Sequence, residues 1–596
     1  MLKKFFLNTL SSFMGAWIAL VLFGVVAFLV MMGIMAKIGA GNSNVQSVKK
    51  GSVMTIELFG EIVENELPLD INYMSLMRGD VERPQALSTL RSAIRAAAAN
   101  ANIEAIYLKC RGVAASPATL NALRDELISF KKSGKKIIAY GDQMGMGDYY
   151  VASVSDELCL NPMGEISLKG IGGSAMFYKG LLDKLGIQIQ VIKVGTYKSA
   201  VEPYILTGMS EPARAQLDTL YRNIWKIIRQ GISSYRKDLT PSKIDSLINS
   251  DYIFLKEGKA DLAAGLVDKL YYERSMDSVI AAHIGKKKKE LNFVSPDLLA
   301  SQEDIQMGYN SKKRIAVLYA TGEIVDGAPG SYINYERMVP VITELAEDDN
   351  VKGLVLRVNS PGGSVYGSEQ IGEALDYFKT KGKPMAVSMG DYAASGGYWI
   401  SCCADRIFAD SLTITGSIGI FGLIPNASEL MQKVGLNTEL VSTNPDAAFP
   451  DLFKPLNERQ LAGMQKMVEE GYDKFVARVA RGRHLSEARV RQIGEGRVWD
   501  ALKAKEIGLV DELAGLNAAI DWVADKAEVE NYGVAYYPRP ENSFLEYLMN
   551  SQFGINGKLR NLLGDKISDT MLKIVSDVWI QQGIQARMPA IEVKFM

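Results

Sequence analysis

Hydrophobic positions along this chain follow two regimes. Near the N-terminus, Phe13 to Ala36 (FMGAWIALVLFGVVAFLVMMGIMA) runs without a charged side chain, and the flanking charges are Lys4 and Lys37. A stretch of that length predicts one helix crossing a bilayer. Beyond it, short Val/Ile-rich runs alternate with helix-length amphipathic segments. GLVLRV (353–358) is followed by SEQIGEALDYFKTKG (368–382) and then MAVSMG (385–390). This order predicts repeated β-α units around a largely parallel sheet. After about residue 540 the pattern changes, and Ile567, Met571, Ile574, Val575 and Val578 share one helical face suited to packing or oligomer contact.

A secretory signal peptide is the competing reading of the first stretch. Its apolar region is usually about 7–15 residues long and ends in a small-x-small cleavage site. This stretch is longer and has no clear site of that kind. A retained anchor is therefore the expectation. Lysines on both flanks weaken the positive-inside argument, which leans towards a cytoplasmic N-terminus with everything after Lys37 outside.

The pattern beyond the anchor also repeats itself. VMTIELFGEIVE from Val53 is echoed by IAVLYATGEIVD from Ile315, with Gly60 matching Gly322. IYLKCRG from Ile106 answers LVLRVNS from Leu354, and FKKSGKKIIAYGD answers FKTKGKPMAVSMGD. ADLAAGLVD near residue 260 answers LKAKEIGLVD near residue 502. Matches in the same order imply two copies of one fold. The expected organisation is an N-terminal segment with anchor and linker (1–48), a first copy (49–290), a linker (291–311), a second copy (312–540) and a helical tail (541–596).

Composition narrows the function. With 596 residues, 47% of them hydrophobic, the chain is folded and too long for one ordinary core. A formal net charge of −1 supplies no basic field for nucleic acid, and the run Lys286–Lys289 is followed at once by Glu290, as in a solvated linker. Cys110, Cys159, Cys402 and Cys403 lack metal-type spacing. They read as buried thiols, with a Cys110–Cys159 bridge left open.

Laying the copies together with Gly141 opposite Gly390 makes Asp142 match Asp391, Tyr149 match Tyr398 and Tyr150 match Trp399. Ser395 then falls opposite Met146, and further on Gly186 meets Gly435 and Lys198 falls opposite Ala447. One copy keeps a serine and the other a lysine. A serine hydroxyl needs a base to take its proton. The two histidines, His283 in the linker between copies and His484 in RGRHLSEAR, have unpromising contexts. A lysine serves if burial lowers its pKa from about 10.4 to near 7, a desolvation cost of about 4–5 kcal/mol. Gly195, Tyr197, Ala200 and Val201 around Lys198 allow that burial, although taken alone Lys198 reads as a solvated lysine. An oxyanion also needs donors. In VNSPGGS (358–364) Gly362 and Gly363 leave amides accessible, and Gly396 follows the serine. A turn without function would use the same PGG, and a serine among small residues is also an ordinary turn residue.

Together, VNSPGGS, MGDYAASGGYW (389–399), ITGSIGIFG (414–422) and GTYKSAVEPY (195–204) resemble the signal peptide peptidase A family of the long, duplicated bacterial type, from the anchor to about residue 540. The resemblance implies an α/β protein made of two tandem copies of a Clp protease/crotonase-like β-α superhelical fold behind one transmembrane helix. It implies a serine endopeptidase with a Ser/Lys dyad that degrades signal peptides left in the membrane after secretion. On this resemblance Ser395 is the nucleophile, Lys198 the general base and Ser417 the residue that orients the lysine. Ser417 alone reads as a turn or helix-capping serine beside Gly416. The oxyanion amides fall on Gly363 and Gly396, with Gly362 in the same turn. Tyr392, Ala393 and Ala394 suit a narrow apolar groove by residue size. No metal, nucleotide or other cofactor is expected. The implied partners are apolar peptides, the membrane and further copies of the chain, as a tetramer. The implied location is the bacterial inner membrane, single-pass, with the catalytic portion on the periplasmic side. Two rival readings remain: an inactive membrane scaffold of the same fold, and a crotonase-type acyl-CoA enzyme.

Overall fold

In the computed structural model the alternating runs become strands and helices. Residues 15, 48–65, 84–254, 257–300, 310–327, 333–538 and 584–588 are described. The expected membrane helix at 13–36, residue 15 aside, and the helical face at 567–578 lie outside them. Among the described residues no helix is long and apolar enough to cross a membrane. Residues 1–50 form a unit of their own, and the elements below belong to residues 51–596.

The first copy is built on a parallel sheet in which β1 (Ser52–Val63), β2 (Ile103–Ala114), β3 (Lys136–Met144) and β4 (Glu157–Ile166) lie in chain order. Helices α1 (Leu87–Ala99), α2 (Pro117–Lys131) and α3 (Met146–Ala152) make the crossovers. Leu87, Leu90, Ala93, Ile94 and Ala97 of α1 recur at helical spacing and are buried. Asn292–Val294, expected in the linker, pairs with β1 and carries the first sheet past residue 290.

After β5 (Gln188–Val194) and the long α4 (Glu211–Tyr235), the second copy repeats the plan. It runs through β6 (Arg314–Thr321), β7 (Ile324–Val325), α5 (Tyr335–Glu347), β8 (Val351–Ser360), β9 (Gly362–Ser364), α6 (Val365–Thr380), β10 (Met385–Ala394), α7 (Gly396–Ser401), β11 (Arg406–Ala409), β12 (Ile414–Gly416), β13 (Ile420–Asn426), α8 (Glu458–Arg483), β14 (Val498–Asp500) and β15 (Gly533–Tyr537). Its main sheet has the order β14-β12-β10-β8-β6-β15, parallel except for β14, and β11 adds to β10. The duplication extends to single hydrogen bonds. Lys135 Nζ donates to the carbonyls of Ala97, Ala98 and Asn100 at the end of α1, and Lys383 Nζ donates to those of Leu345, Ala346 and Asp348 at the end of α5. Each lysine satisfies carbonyls that a helix end leaves without partners. Likewise the Tyr149 hydroxyl donates to Leu266 O and that of Tyr398 to Leu509 O.

A third, mixed sheet joins the copies. β5 of the first copy runs antiparallel to β13 of the second, from Val194 opposite Ile420 to Gln188 opposite Asn426. The other face of β13 meets β16 (Ile584–Arg587), which continues to β9 and β7. The last described segment, expected in a helical tail, is therefore a strand. Polar contacts across the copies reinforce the joint. Arg357 donates through Nη2 to Glu64 Oε1 at 2.7 Å, and the backbone N–H and Oγ1 of Thr119 donate to Asp391 at 2.8 and 2.7 Å.

Candidate active site

The strand β10 ends at Ala394, α7 begins at Gly396, and Ser395 makes the corner between them with φ 57° and ψ −116°. That conformation is foreign to most L-residues and marks stored strain. The corner is held by the Ser395 N–H bonding to Gly416 O at 2.7 Å and by the Trp399 N–H bonding to Ser395 O at 2.8 Å. The small residues around it follow from backbone crowding. A Cβ at Gly397 would stand 2.7 Å from the Ser360 carbonyl oxygen, and one at Gly396 would stand 2.6 Å from Ser368 Oγ.

Lys198 arrives from the first copy, just after β5. Tyr197 N–H donates to Glu495 O at 2.9 Å, and a Cβ on Gly496 would lie 2.7 Å from that of Lys198, so only glycine permits this approach. Lys198 is fully buried, with Phe421, Leu423 and Val201 forming an apolar cluster beside it. Its Nζ lies 2.8 Å from Ser395 Oγ, 3.1 Å from Ser417 Oγ and 3.2 Å from Ser417 O. Burial holds its pKa well below the usual lysine range. Two N–H groups of a neutral amine can bond to Ser417, leaving the lone pair for the Ser395 hydroxyl. Ser417, at φ 52°, is fixed by its own N–H bonding to Arg497 O at 2.7 Å.

The PGG turn closes the site. Gly362 at φ 102° and Gly363 at φ 151° adopt conformations that only glycine takes readily. A Cβ on Gly362 would stand 2.7 Å from the Gly396 amide nitrogen, and one on Gly396 would stand 3.1 Å from the Gly363 amide nitrogen. The amides of Gly363 and Gly396 thus converge beside Ser395 and can bond to one developing oxyanion.

Tyr392 and Ala393, also expected at the site, pack against other parts of the chain. Tyr392 lines a small cavity between the copies with Pro117, Ala118 and Ile224, and Ala393 belongs to the second copy's core. Ala394 is fully buried, with its carbonyl against Gly362. His283 pairs with Glu157 at 3.0 Å, and His484 caps the C-terminal end of α8 at φ 54°. All four cysteines are free and buried, so Cys110 and Cys159 form no bridge. Asp391 is a joint between the copies that the sequence pattern does not reveal. Its carboxylate accepts from Thr119 and Asn359 while burial, then Glu64, push its pKa up. The only sequence signal for it is its match to Asp142.

The model of peptidase family S49 matches residues 129–286 and 377–530, one segment in each copy. The chain is 33% identical over 562 residues to protease 4 of Salmonella typhi, covering 92% of this chain and 89% of that one. It is 28% identical over 561 residues to the chloroplastic serine protease SPPA of Arabidopsis thaliana, covering 92% and 79%. ClpP1 from Listeria monocytogenes overlaps 37% of this chain and 98% of its own at a TM-score of 0.23 and 14% identity, a likeness that carries no argument.

Proposed function

This chain belongs to peptidase family S49 and is a serine protease of the protease 4 kind, and from that premise we propose that it is a membrane-anchored endopeptidase that uses a Ser395/Lys198 dyad to degrade signal peptides after secretion. Ser395 Oγ attacks a peptide carbonyl while neutral Lys198 takes its proton, and the amides of Gly363 and Gly396 bind the oxyanion. Lys198 protonates the leaving amine and then activates the water that hydrolyses the acyl-enzyme. Ser417 orients the lysine. The observation that carries this reading is the buried 2.8 Å contact between Nζ and Oγ, with burial and no charged partner among the described residues acting on Lys198.

The apolar run at 13–36 supports anchoring in a bacterial inner membrane, with the catalytic copies on the periplasmic side. Such a location suits apolar remnant peptides as substrates. The description of both copies as Clp protease/crotonase-like, and their assembly into a tetramer, belong to the same proposal.

The test is hydrolysis of an apolar signal-peptide-like substrate across pH by wild type, Ser395→Ala, Lys198→Ala and His484→Ala. The first two substitutions should lower kcat by roughly 10⁴-fold or more, and the third should leave it unchanged. Because the active lysine is neutral, wild-type activity should rise with pH through an apparent pKa well below that of a free lysine. Retained activity in Lys198→Ala would show that the base is another group.

A further inference from the structure

Just before β14 the chain reads GEGR (494–497), a turn in which Glu495 sits at φ 53° and Gly496 at φ 73°. Its backbone touches both residues that prepare the serine's base. Glu495 O accepts from the N–H of Tyr197, the residue before Lys198, at 2.9 Å, and Arg497 O accepts from the Ser417 N–H at 2.7 Å. The Gly496 N–H donates to Ile418 O at 2.8 Å, and the Ser417 hydroxyl faces Gly496 O at 3.5 Å. The fit is tight from both copies. A Cβ on Gly195 would stand 2.5 Å from Glu495 O, and one on Gly419 would stand 2.8 Å from Gly496 Cα. Around the buried amine, this turn is where the second copy grips the first.

A non-glycine residue at positive φ persists only where its surroundings hold it. The Arg497 side chain supplies such a hold. Its guanidinium carbon lies 4.8 Å from the centroid of the Tyr197 ring and 4.2 Å from that of the Trp499 ring, within reach of both π faces. Trp499 is itself fixed. Its indole N–H donates to Ile493 O at 3.0 Å, and its backbone pairs with Thr415, the residue before Gly416, whose carbonyl accepts from the Ser395 N–H. Arg497 therefore ties a ring beside Lys198 to a strand beside Ser395.

The duplication supplies an independent sign. In the register that sets Gly265 opposite Gly508, Phe254 falls opposite Arg497 and Ile253 opposite Gly496. Phe254 is an exposed side chain. The glycine and the cation stand only in the copy whose turn receives Lys198.

We propose that Arg497 is a positioning residue for the Ser395/Lys198 reaction. By bridging Tyr197 and Trp499 it holds the 494–497 turn against Lys198, which keeps Nζ within reach of Ser395 Oγ and shut away from water. The proposal rests on the Ser/Lys reading above. Arg497 acts through Tyr197 and the turn, not on the substrate.

The test is hydrolysis of the apolar signal-peptide-like substrate across pH, with a thermal melt of each full-length protein. The proteins are wild type, Lys198→Ala, Arg497→Ala, Arg497→Lys, Tyr197→Ala, Tyr197→Phe and the double substitution Arg497→Ala, Tyr197→Ala. Arg497→Ala should lower kcat by roughly 10–100-fold with KM little changed, as expected for a base displaced by about 1 Å. The rising limb of its pH profile should move to higher pH, because a loosened turn lets water reach Lys198 and favour the ammonium form. Arg497→Lys keeps the charge without the planar stack and should fall between wild type and Arg497→Ala. Tyr197→Ala should reproduce the Arg497→Ala loss, and Tyr197→Phe should recover most of it. The double substitution should be no slower than the worse single one, as for two residues that act as a unit. A fall in kcat with an unmoved pH limb, or losses that multiply in the double variant, would overturn the proposal. Should Arg497→Ala fail to fold, Arg497→Lys and the two Tyr197 variants decide by the same pH limb. If Lys198→Ala is inactive while Arg497→Ala matches wild type, only the positioning role is wrong. If Lys198→Ala keeps wild-type activity, the Ser/Lys reading fails and this proposal fails with it.

Discussion

Lys198 shows how one residue can be placed against its own solvation. Water favours the ammonium form, and the apolar surroundings of Val201, Phe421 and Leu423 favour the neutral amine. This tension gives a stability prediction with a definite sign. The unfolded lysine titrates near its ordinary value of about 10.4, whereas the folded one titrates well below it. In the window between the two values the unfolded chain binds a proton that the folded chain lacks, so stability should rise with pH there by about 1.4 kcal/mol per pH unit. Above the window both states are neutral and the dependence vanishes. Lys198→Met should therefore melt at a higher temperature than wild type near neutral pH, and the gap should shrink as pH approaches that of a free lysine. Thermal melts of both proteins across this range decide it. A gap that stays constant with pH would mean that the buried amine carries no proton-linked cost.

At the scale of elements, the dyad depends on how the copies dock. β5 brings Lys198 to β13, and Arg357, buried in the second copy's main sheet, binds Glu64 at the end of β1 through two nitrogens at 2.7 and 3.1 Å. Removing one member of a buried ion pair leaves the other charge without a partner, at a cost of about 3–5 kcal/mol. Glu64→Ala should lose that much in chemical denaturation and should lower kcat with KM little changed, because Lys198 and Ser395 approach from opposite copies. Glu64→Asp should recover part of both. A loss under about 1 kcal/mol would show the pair to be replaceable by water. The joint also marks what the sequence could convey. The β-α units were legible because each is a local apolar run followed by an amphipathic one, and the serine and lysine because the copies differ there. The pairing of β5 with β13 and of β16 with β9 joins residues hundreds apart, and no local pattern encodes such partners. Where Tyr392 and Ala393 pack was illegible for a related reason. Residue size suggested a groove, but side-chain direction depends on which layer each face of β10 packs against.

For the whole molecule, the internal symmetry is incomplete in a way that points outward. In the register of the duplication, β5 (188–194) corresponds to 437–443, and β13 (420–426) corresponds to 171–177. β5 and β13 pair within the chain, but neither 437–443 nor 171–177 forms a strand. Both carry exposed apolar side chains, with Val441 92% and Met176 70% exposed, and Leu440 and the preceding Leu436 are exposed as well. Isolated exposed apolar residues are common, whereas a cluster of them on an unpaired segment is a contact waiting for a partner. If the proposed assembly completes the internal symmetry, the partner of 437–443 would be the 171–177 segment of a second copy of the chain. That contact is heterologous, because the second half of one chain meets the first half of the next, and repeating it closes a ring where the rotation allows. Such a joint would hold Ala447 and Met146 where the joint within the chain holds Lys198 and Ser395, so each chain would contribute one dyad, completed within itself. The assembled wild type should therefore have a particle mass several times that of the chain in light scattering. The double substitution Leu440→Asp, Val441→Asp should reduce that mass to one chain, since charge on both residues opposes their burial. Hydrolysis of a short peptide should survive, because both catalytic side chains come from one polypeptide. If the variant keeps the wild-type mass, another surface builds the assembly. If it becomes monomeric and loses peptide hydrolysis as well, the dyad depends on a neighbouring chain for its geometry.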